Sequence, residues 1–495
     1  MLPHSITAKE VADLRQLHPW LPGIANKSWA TYKPILALPH CAPMSNSSSS
    51  AAASRPAGAQ PDIVFIVADD LGYADLGCYG GRDADFGAVS PHIDALAAQG
   101  MRFTRGYANS PVCSPTRFAL MTGRWQYRLR GAAEEPINSR ARGNSALGLP
   151  AAHPTLASLL RDVGYRTALI GKWHLGYPPD FGPLRSGYDE FYGPMSGGVD
   201  YFSHCNNAGT HDLWEAEEER RDTGYLTDLL SERAVQVVRH TATDPRPLLL
   251  SLHYTAPHWP WETREDSHVP AQIGPRLFHL DGGNIHTYRQ MIHHMDEGIG
   301  RVVQALRDVG RLDNTLIVFT SDNGGERFSD NWPLVGGKMD LTEGGIRVPW
   351  IAHWPACVPA GRVSEQHCLT MDWTATLIAA AGASPAAAYP LDGVSLLPVL
   401  TQGQAPFARA MHWRMKHRGQ RALRDGRWKY LSVDGHDYLF DVEADERERA
   451  NLAEREPERL TAMRQAWHAW NETMPPIPND ATVSLGYSVA NMPQR

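Results

Sequence analysis

Four apolar runs, two of them ending in acidic or amide side chains, constrain the fold of this chain more than any other feature. They are IVFIVADD (Ile63 to Asp70), YRTALIG (Tyr165 to Gly171), PLLLSLHY (Pro247 to Tyr254) and TLIVFTSDN (Thr315 to Asn323). A short continuous apolar run is the pattern of a strand buried on both faces. Amphipathic helical patterns separate them, among them Thr155 to Gly164 and Tyr288 to Val309. Strands alternating with helices predict an α/β fold whose large, mostly parallel sheet is flanked by helices on both faces. After about Leu400 the pattern changes to short alternating strands, Arg421 to Val433 and Tyr438 to Val442, with a hairpin turn expected at Asp425-Gly426. A charged helix from about Glu456 to Trp470 follows. The expected organisation is a catalytic domain over residues 61–400, a small antiparallel sheet with one helix over 401–475, and a tail over 476–495.

Residues 1–60 read differently. They end in SNSSSSAAASRPAGAQ (Ser45 to Gln60), which lacks the apolar surface needed to order itself. With Met44 directly before that tract, residues 1–43 are expected to be an upstream extension or an arm. The N-terminus lacks the basic-then-apolar pattern of a secretory signal, so a cytoplasmic location is the default expectation, with export left open. No apolar run is long enough to span a bilayer. A formal net charge of −7 gives no reason to expect nucleic acid or a membrane surface as partner. The 6 cysteines are scattered with no CxxC pair, so neither a zinc knuckle nor a disulfide scaffold is indicated. No pattern in the sequence sets an oligomeric state.

Candidate chemistry gathers at the strand ends. Ligands of open α/β sheets bind beyond the carboxyl ends of the strands. Asp69 and Asp70 stand there, and TSDNGG brings Asp322 and Asn323 to the same edge. An isolated Asp pair is more often a helix cap. Two strands ending this way instead favour the expectation of an all-oxygen divalent-metal site, suited to calcium or magnesium and not zinc. In CSPTRFALMTGR (Cys113 to Arg124), Pro115 suits a first helical turn and Gly123 a helix end. Cys113 then sits at a helix N-terminus, where anions are favoured. A small buried cysteine is the plainer alternative.

These residues carry a resemblance. Cys113, Pro115 and Arg117, followed by Thr122, Gly123 and Arg124, match the Cys-x-Pro-x-Arg and Thr-Gly-Arg signature of the type I sulfatases, in the alkaline-phosphatase-like superfamily. The chain resembles that family from about residue 61 to about 470. GKWHLG adds Lys172 and His174, expected on an extended segment with both side chains on one face. TAPHWP adds His258, GGK adds Lys338, and Ser196 in FYGPMSGG is a candidate sulfate contact. The resemblance implies sulfate-ester hydrolysis, on an aryl or a sugar sulfate. It implies that a separate formylglycine-generating enzyme oxidises Cys113 to formylglycine, whose hydrated aldehyde is the nucleophile. It further implies a divalent metal, calcium by family habit, held by Asp69, Asp70, Asp322 and Asn323. Arg117 and Lys172 would hold the nucleophile, and Lys172, His258 and Lys338 the sulfate. His174 would be the base that releases it, and His258 or Lys338 would protonate the leaving alcohol.

Two other readings compete with this one. A phosphonate or phosphate diester hydrolase of the same superfamily would replace the Lys172/His174 pair with uncharged residues and Asn323 with histidine. A catalytically silent anion-binding homologue would have lost a ligand or the nucleophile, and none is missing here. A zinc site on His293-His294 is disfavoured, because adjacent helical residues do not share a face and Met291, Met295, Ile299 and Val302 form an apolar stripe. Trp259 and Trp261 are candidates to stack on a sugar or aryl ring, or are packing residues. The stretch from Gly197 to Asp222 is a candidate lid or specificity loop.

Overall fold

The computed structural model of the protein describes residues 59–81, 87–268 and 282–484. The expected N-terminal extension up to residue 58 and the tail beyond 484 lie outside the described residues. A ten-stranded mixed sheet forms the centre. Across it run Arg362–Ser364, Met101–Phe103, Trp350–His353, Thr315–Ser321, Asp62–Ala68, Leu248–His253, Arg166–Gly171, Glu190–Gly193, Trp214–Glu215 and Glu218–Glu219. The five strands from Thr315–Ser321 to Glu190–Gly193 are mutually parallel, and all four apolar runs are among them.

The alternation of side chains along a strand explains why these runs are apolar throughout. In Asp62–Ala68 every residue is buried. Val64, Ile66 and Ala68 pack in one core beneath the Pro91–Ala98, Leu226–His240 and Ile285–Asp308 helices. Ile63, Phe65 and Val67 pack in another, with the Cys113–Thr122, Leu156–Asp162 and Met371–Ala380 helices. The apolar stripe of the Ile285–Asp308 helix, Met291, Met295, Ile299 and Val302, is wholly buried in the first core.

Strands Ala410–Arg414, Arg421–Asp425, Trp428–Val433 and His436–Asp441 form a four-stranded antiparallel sheet. Its hairpin loop is Gly426-Arg427, one residue beyond the expected turn. Asp425 pairs with Trp428 and so still belongs to the ladder. Leu423, Tyr430 and Leu439 pack under Met463 and Trp467 of the Pro457–Asn471 helix. The opposite face, with Met411, Trp413, Ala422 and Leu431, shares a core with Tyr107, Val112, Ala119 and Leu369. The small sheet is therefore covered on both sides, one of them by the flank of the cysteine-bearing helix.

No helix among the described residues is long and apolar enough to cross a membrane. Cys78, Cys113, Cys205, Cys357 and Cys368 are free thiols.

Candidate active site

Strand register assembles the acidic half of the site. Ala68 pairs with Ser321, so Asp69 and Asp322 leave adjacent parallel strands side by side. Asp70 follows with a left-handed φ of 63°, and its N–H donates to Asp322 Oδ1 at 3.3 Å. Asn323 Nδ2 donates to Asp70 Oδ1 at 2.7 Å. Asp69, Asp70, Asp322 and Asn323 are all fully or almost fully buried. Burial, and behind it the Asp322 carboxylate, pushes the Asp69 carboxyl well above the usual carboxylate range.

Cations interleave with these carboxylates. Arg117 Nε donates to Asp322 Oδ2 at 3.0 Å, and its Nη1 donates to the Lys172 carbonyl at 3.2 Å. Lys172 Nζ pairs with Asp69 Oδ2, and Lys338 Nζ lies 2.5 Å from Asp70 Oδ2. Three carboxylates and three cations thus close into one neutral buried cluster. Two oxygens stand outside this closure. Asp69 Oδ1 and Asn323 Oδ1 are buried without a hydrogen-bond partner, the former with Arg117 Nη2 at 3.8 Å. Orphaned oxygens in an all-oxygen set of this kind fit a hard divalent cation.

Cys113 opens the Cys113–Thr122 helix, which Gly123 ends in a left-handed conformation (φ 65°). The cysteine is buried, and its sulfur, an oxygen of Asp69, an oxygen of Asp70 and a ring nitrogen of His258 all lie within 4.8 Å of one another. Burial pushes the Cys113 thiol up to about 12, so it is protonated near neutral pH and a poor nucleophile as it stands.

The two histidines have defined tautomers because a carbonyl can only accept. His174 Nε2 donates to the Ile137 carbonyl at 2.6 Å, which leaves Nδ1 as its acceptor, buried and without a partner. His258 Nδ1 donates to the Trp259 carbonyl at 2.5 Å, which turns Nε2 toward Asp70 Oδ2, 3.6 Å away. Burial, then nearby lysine charge (Lys172 for His174; Lys338 and Lys172 for His258), holds both well below the ordinary histidine value, so both are neutral at pH 7.

The segment carrying Lys172 and His174 is not extended as expected. Gly171 (φ 115°) and His174 (φ 58°) are left-handed, so the period-two argument does not apply. Gly171 is required there, since a Cβ would sit 1.8 Å from the His253 carbonyl oxygen. Ser196 lies beside the site: its N–H donates to Asp212 Oδ2 at 2.9 Å and its Oγ to the Gly198 carbonyl at 3.4 Å. A Cβ on the neighbouring Gly197 would come 2.3 Å from His174 Cε1, so this turn is a close-fitting wall. Trp259 stacks on the His258 ring at 4.9 Å, whereas Trp261 is buried edge-on against Phe328. Arg124, at the far end of the cysteine helix, hydrogen-bonds His153 and covers the Tyr389 ring.

Some contributors went unrecognised in the sequence. Ser114 Oγ accepts from Ile137 N–H at 2.9 Å, so Ile137 joins the cysteine helix to His174 through its backbone alone. Buried His253, at the end of its strand, accepts Lys172 N–H on its carbonyl. A backbone partner carries no residue-type signal, whereas the histidine ending the Leu248–His253 run was visible.

An open, mostly parallel sheet with acidic, cationic and cysteine side chains converging beyond its central strands defines the alkaline-phosphatase-like class. Within that class the chain belongs to the sulfatase family, since residues 61–383 match the family described as Sulfatase. It is 33 % identical over 369 residues to the N-acetylgalactosamine-6-sulfatase of Sus scrofa, covering 70 % of this chain and 66 % of that one, about two thirds of its length. It is 31 % identical over 388 residues to arylsulfatase A of Homo sapiens, covering 74 % of each. The crystal structure of Ps i-CgsB in complex with k-i-k-neocarrahexaose is similar at a TM-score of 0.74 and 32 % identity, over 87 % of this chain and 96 % of that one.

Proposed function

We propose that this chain hydrolyses sulfate esters to an alcohol and inorganic sulfate, with a sulfated sugar as the substrate class. The observation that carries the reading is the convergence of Cys113 with Asp69, Asp70 and His258 at the end of an anion-favouring helix. The names of N-acetylgalactosamine-6-sulfatase and of the neocarrahexaose complex favour a sugar sulfate over a simple aryl sulfate.

Asp69, Asp70, Asp322 and Asn323 would hold a divalent metal, calcium by family habit, which when bound polarises sulfate oxygens and favours an ionised nucleophile. Oxidation of Cys113 to formylglycine by a formylglycine-generating enzyme supplies the nucleophilic hydroxyl that a thiol near pKa 12 does not. Arg117 fixes the position of residue 113 from one helical turn on, anchored to Asp322 and the Lys172 carbonyl. Lys172 and Lys338, now neutralised by Asp69 and Asp70, are the cations that a sulfate dianion would share. Neutral His174, with Nδ1 as its acceptor, takes the proton when sulfate is released. His258, also held neutral, serves as a hydrogen-bonding partner, which makes Lys338 the proton donor to the leaving alcohol.

Two measurements on protein from the native host test this. One is the mass of the tryptic peptide from Gly106 to Arg117; the other is sulfate release from sulfated sugars, aryl sulfate and aryl phosphonate. The expected result is an aldehyde or its hydrate at residue 113, with sulfate release abolished by a chelator and restored by calcium. An intact thiol with no hydrolysis overturns the reading, and a faster phosphonate reaction transfers it to the rival branch.

A further inference from the structure

Lys338 sits on a segment with almost no regular structure of its own. Between the Thr315–Ser321 strand and the four-residue Glu343–Ile346 helix, the chain runs through Gly324, Gly325, Gly336 and Gly337. A glycine-rich backbone places a lysine poorly unless something outside fixes it. On one side the fixing comes from the cysteine segment, since Met339 N–H donates to the Pro111 carbonyl at 2.9 Å. On the other side it comes from the C-terminal sheet. Gln420, directly before the Arg421–Asp425 strand and 1 % exposed, donates its Nε2 to the Met339 carbonyl at 2.8 Å. Its Oε1 accepts the Leu341 N–H at 2.9 Å. One side-chain amide therefore supplies both halves of a strand-like pairing to the backbone immediately after Lys338. Gln420 is itself held, because its own carbonyl accepts the Met415 N–H at 2.9 Å.

A second clamp lies just downstream. Glu343 is fully buried; its carboxylate accepts Tyr107 OH at 2.6 Å and Lys429 Nζ at 3.0 Å, with Arg424 Nη1 at 3.1 Å. Its N–H donates to Glu448 Oε2 at 2.7 Å. Lys429 and Arg424 come from the small sheet. Both ends of the stretch 339–343 are thus gripped by the C-terminal unit, and the Lys338 ammonium 2.5 Å from Asp70 is the group this grip delivers to the site.

We propose that Gln420 is a positioning residue for Lys338, so that the C-terminal sheet sets the geometry of the anion pocket through one buried amide. The catalytic part of this inference rests on the sulfatase reading above; the placement of Lys338 does not. A purely structural role would lower activity by the same factor whatever stands at position 338, whereas action through Lys338 is non-additive with its removal.

The test compares Gln420→Met, nearly isosteric and without hydrogen bonds, in the wild-type and Lys338→Ala backgrounds. Losing both bonds is expected to lower kcat/KM about 10- to 30-fold in the wild-type background. In the Lys338→Ala background the loss is expected to stay within about twofold. Gln420→Glu keeps the acceptor for Leu341 N–H and is expected to fall between the two. Amine acylation of Lys338, read by peptide mass, is independent of turnover. Its side chain is 2 % exposed, so labelling is slow in the wild type and expected to accelerate in Gln420→Met. Equal losses in both backgrounds, or unchanged labelling in a folded Gln420→Met protein, overturn the inference. Faster labelling in a protein whose wild type hydrolyses no sulfate ester supports the positioning and refutes the sulfatase reading.

Discussion

Two buried charge clusters lie within one molecule, and they are built to different rules. At the strand ends, Asp69, Asp70 and Asp322 face Arg117, Lys172 and Lys338. Under the small sheet, Glu343 and Glu448 face Lys429 and Arg424. Both balance formally, so charge count does not separate them. Coordination does. Both oxygens of Glu343 are taken by fixed donors, and Glu448 Oε1, though without a hydrogen bond, has Lys429 Nζ at 2.8 Å. Asp69 Oδ1 has Arg117 Nη2 only at 3.8 Å, and Asn323 Oδ1 and His174 Nδ1 are buried without a hydrogen-bond partner. A cluster that only holds elements together closes its oxygens with hydrogen bonds or close ion pairs, since each open one costs about 1–3 kcal/mol. On the proposed function, a cluster that receives a metal and an anion leaves acceptors open.

The largest test of this contrast is Asp69→Asn. Sulfate-ester turnover is expected to fall on the order of 10³-fold, with a smaller loss of stability than for Glu343→Gln, because Lys172 loses a counter-charge but repulsion from Asp322 and Asp70 is relieved. Steady-state kinetics and denaturant titration on the same preparation check it; unfolding as severe as the activity loss would collapse the distinction between the clusters. Glu343→Gln should behave in the opposite sense, with stability falling by roughly 3–5 kcal/mol as Arg424 loses its counter-charge and Lys429 is left with Glu448 alone, measured by denaturant titration.

The regions also separate by pH. His412, in the Ala410–Arg414 strand and stacked on Trp470, is lowered to about 4 by burial and then by Arg409. Its folded value lies below the unfolded 6.5, so the stability it contributes is present above pH 6.5 and lost as pH falls toward 4. The expected size is roughly 3 kcal/mol. His412→Phe should flatten the stability profile across that window, and an unchanged slope would assign the acid sensitivity elsewhere. At the site, His174 held well below 6.5 predicts that the acid limb of kcat/KM lies below pH 6.5. The smallest effect is expected for Arg124→Ala, where the signature arginine packs on Tyr389. Turnover per modified active site should stay within about twofold of wild type, and a larger drop would bring that helix end into the chemistry.

Much of this was legible in one dimension because the physics that makes it legible is local. A strand buried on both faces must be apolar throughout, which marked Ile63–Val67 and its parallel neighbours. The carboxyl end of such a strand is where ligands bind, which singled out Asp69, Asp70, Asp322 and Asn323 before any coordinates. A proline in the first turn and a glycine after the last bounded the Cys113–Thr122 helix. Two local inferences went astray: the hairpin turn fell one residue beyond Asp425-Gly426, and the shared face for Lys172 and His174 failed because two positive-φ residues interrupt the period that inference needs.

Other features depend on contacts between distant residues and left no local trace. Ile137 acts through its carbonyl, so any residue type could have stood there. Gln420 reaches a backbone 79 positions away, and a lone glutamine before a strand looks like any solvated side chain. The tautomers of His174 and His258 follow from which carbonyl each ring meets. The sequence determined the elements and the chemical inventory of the site, because periodicity, caps and strand ends are properties of neighbours in the chain. Only the tertiary structure decided which of those groups are closed by partners and which stand open, because burial and hydrogen-bond satisfaction are properties of neighbours in space.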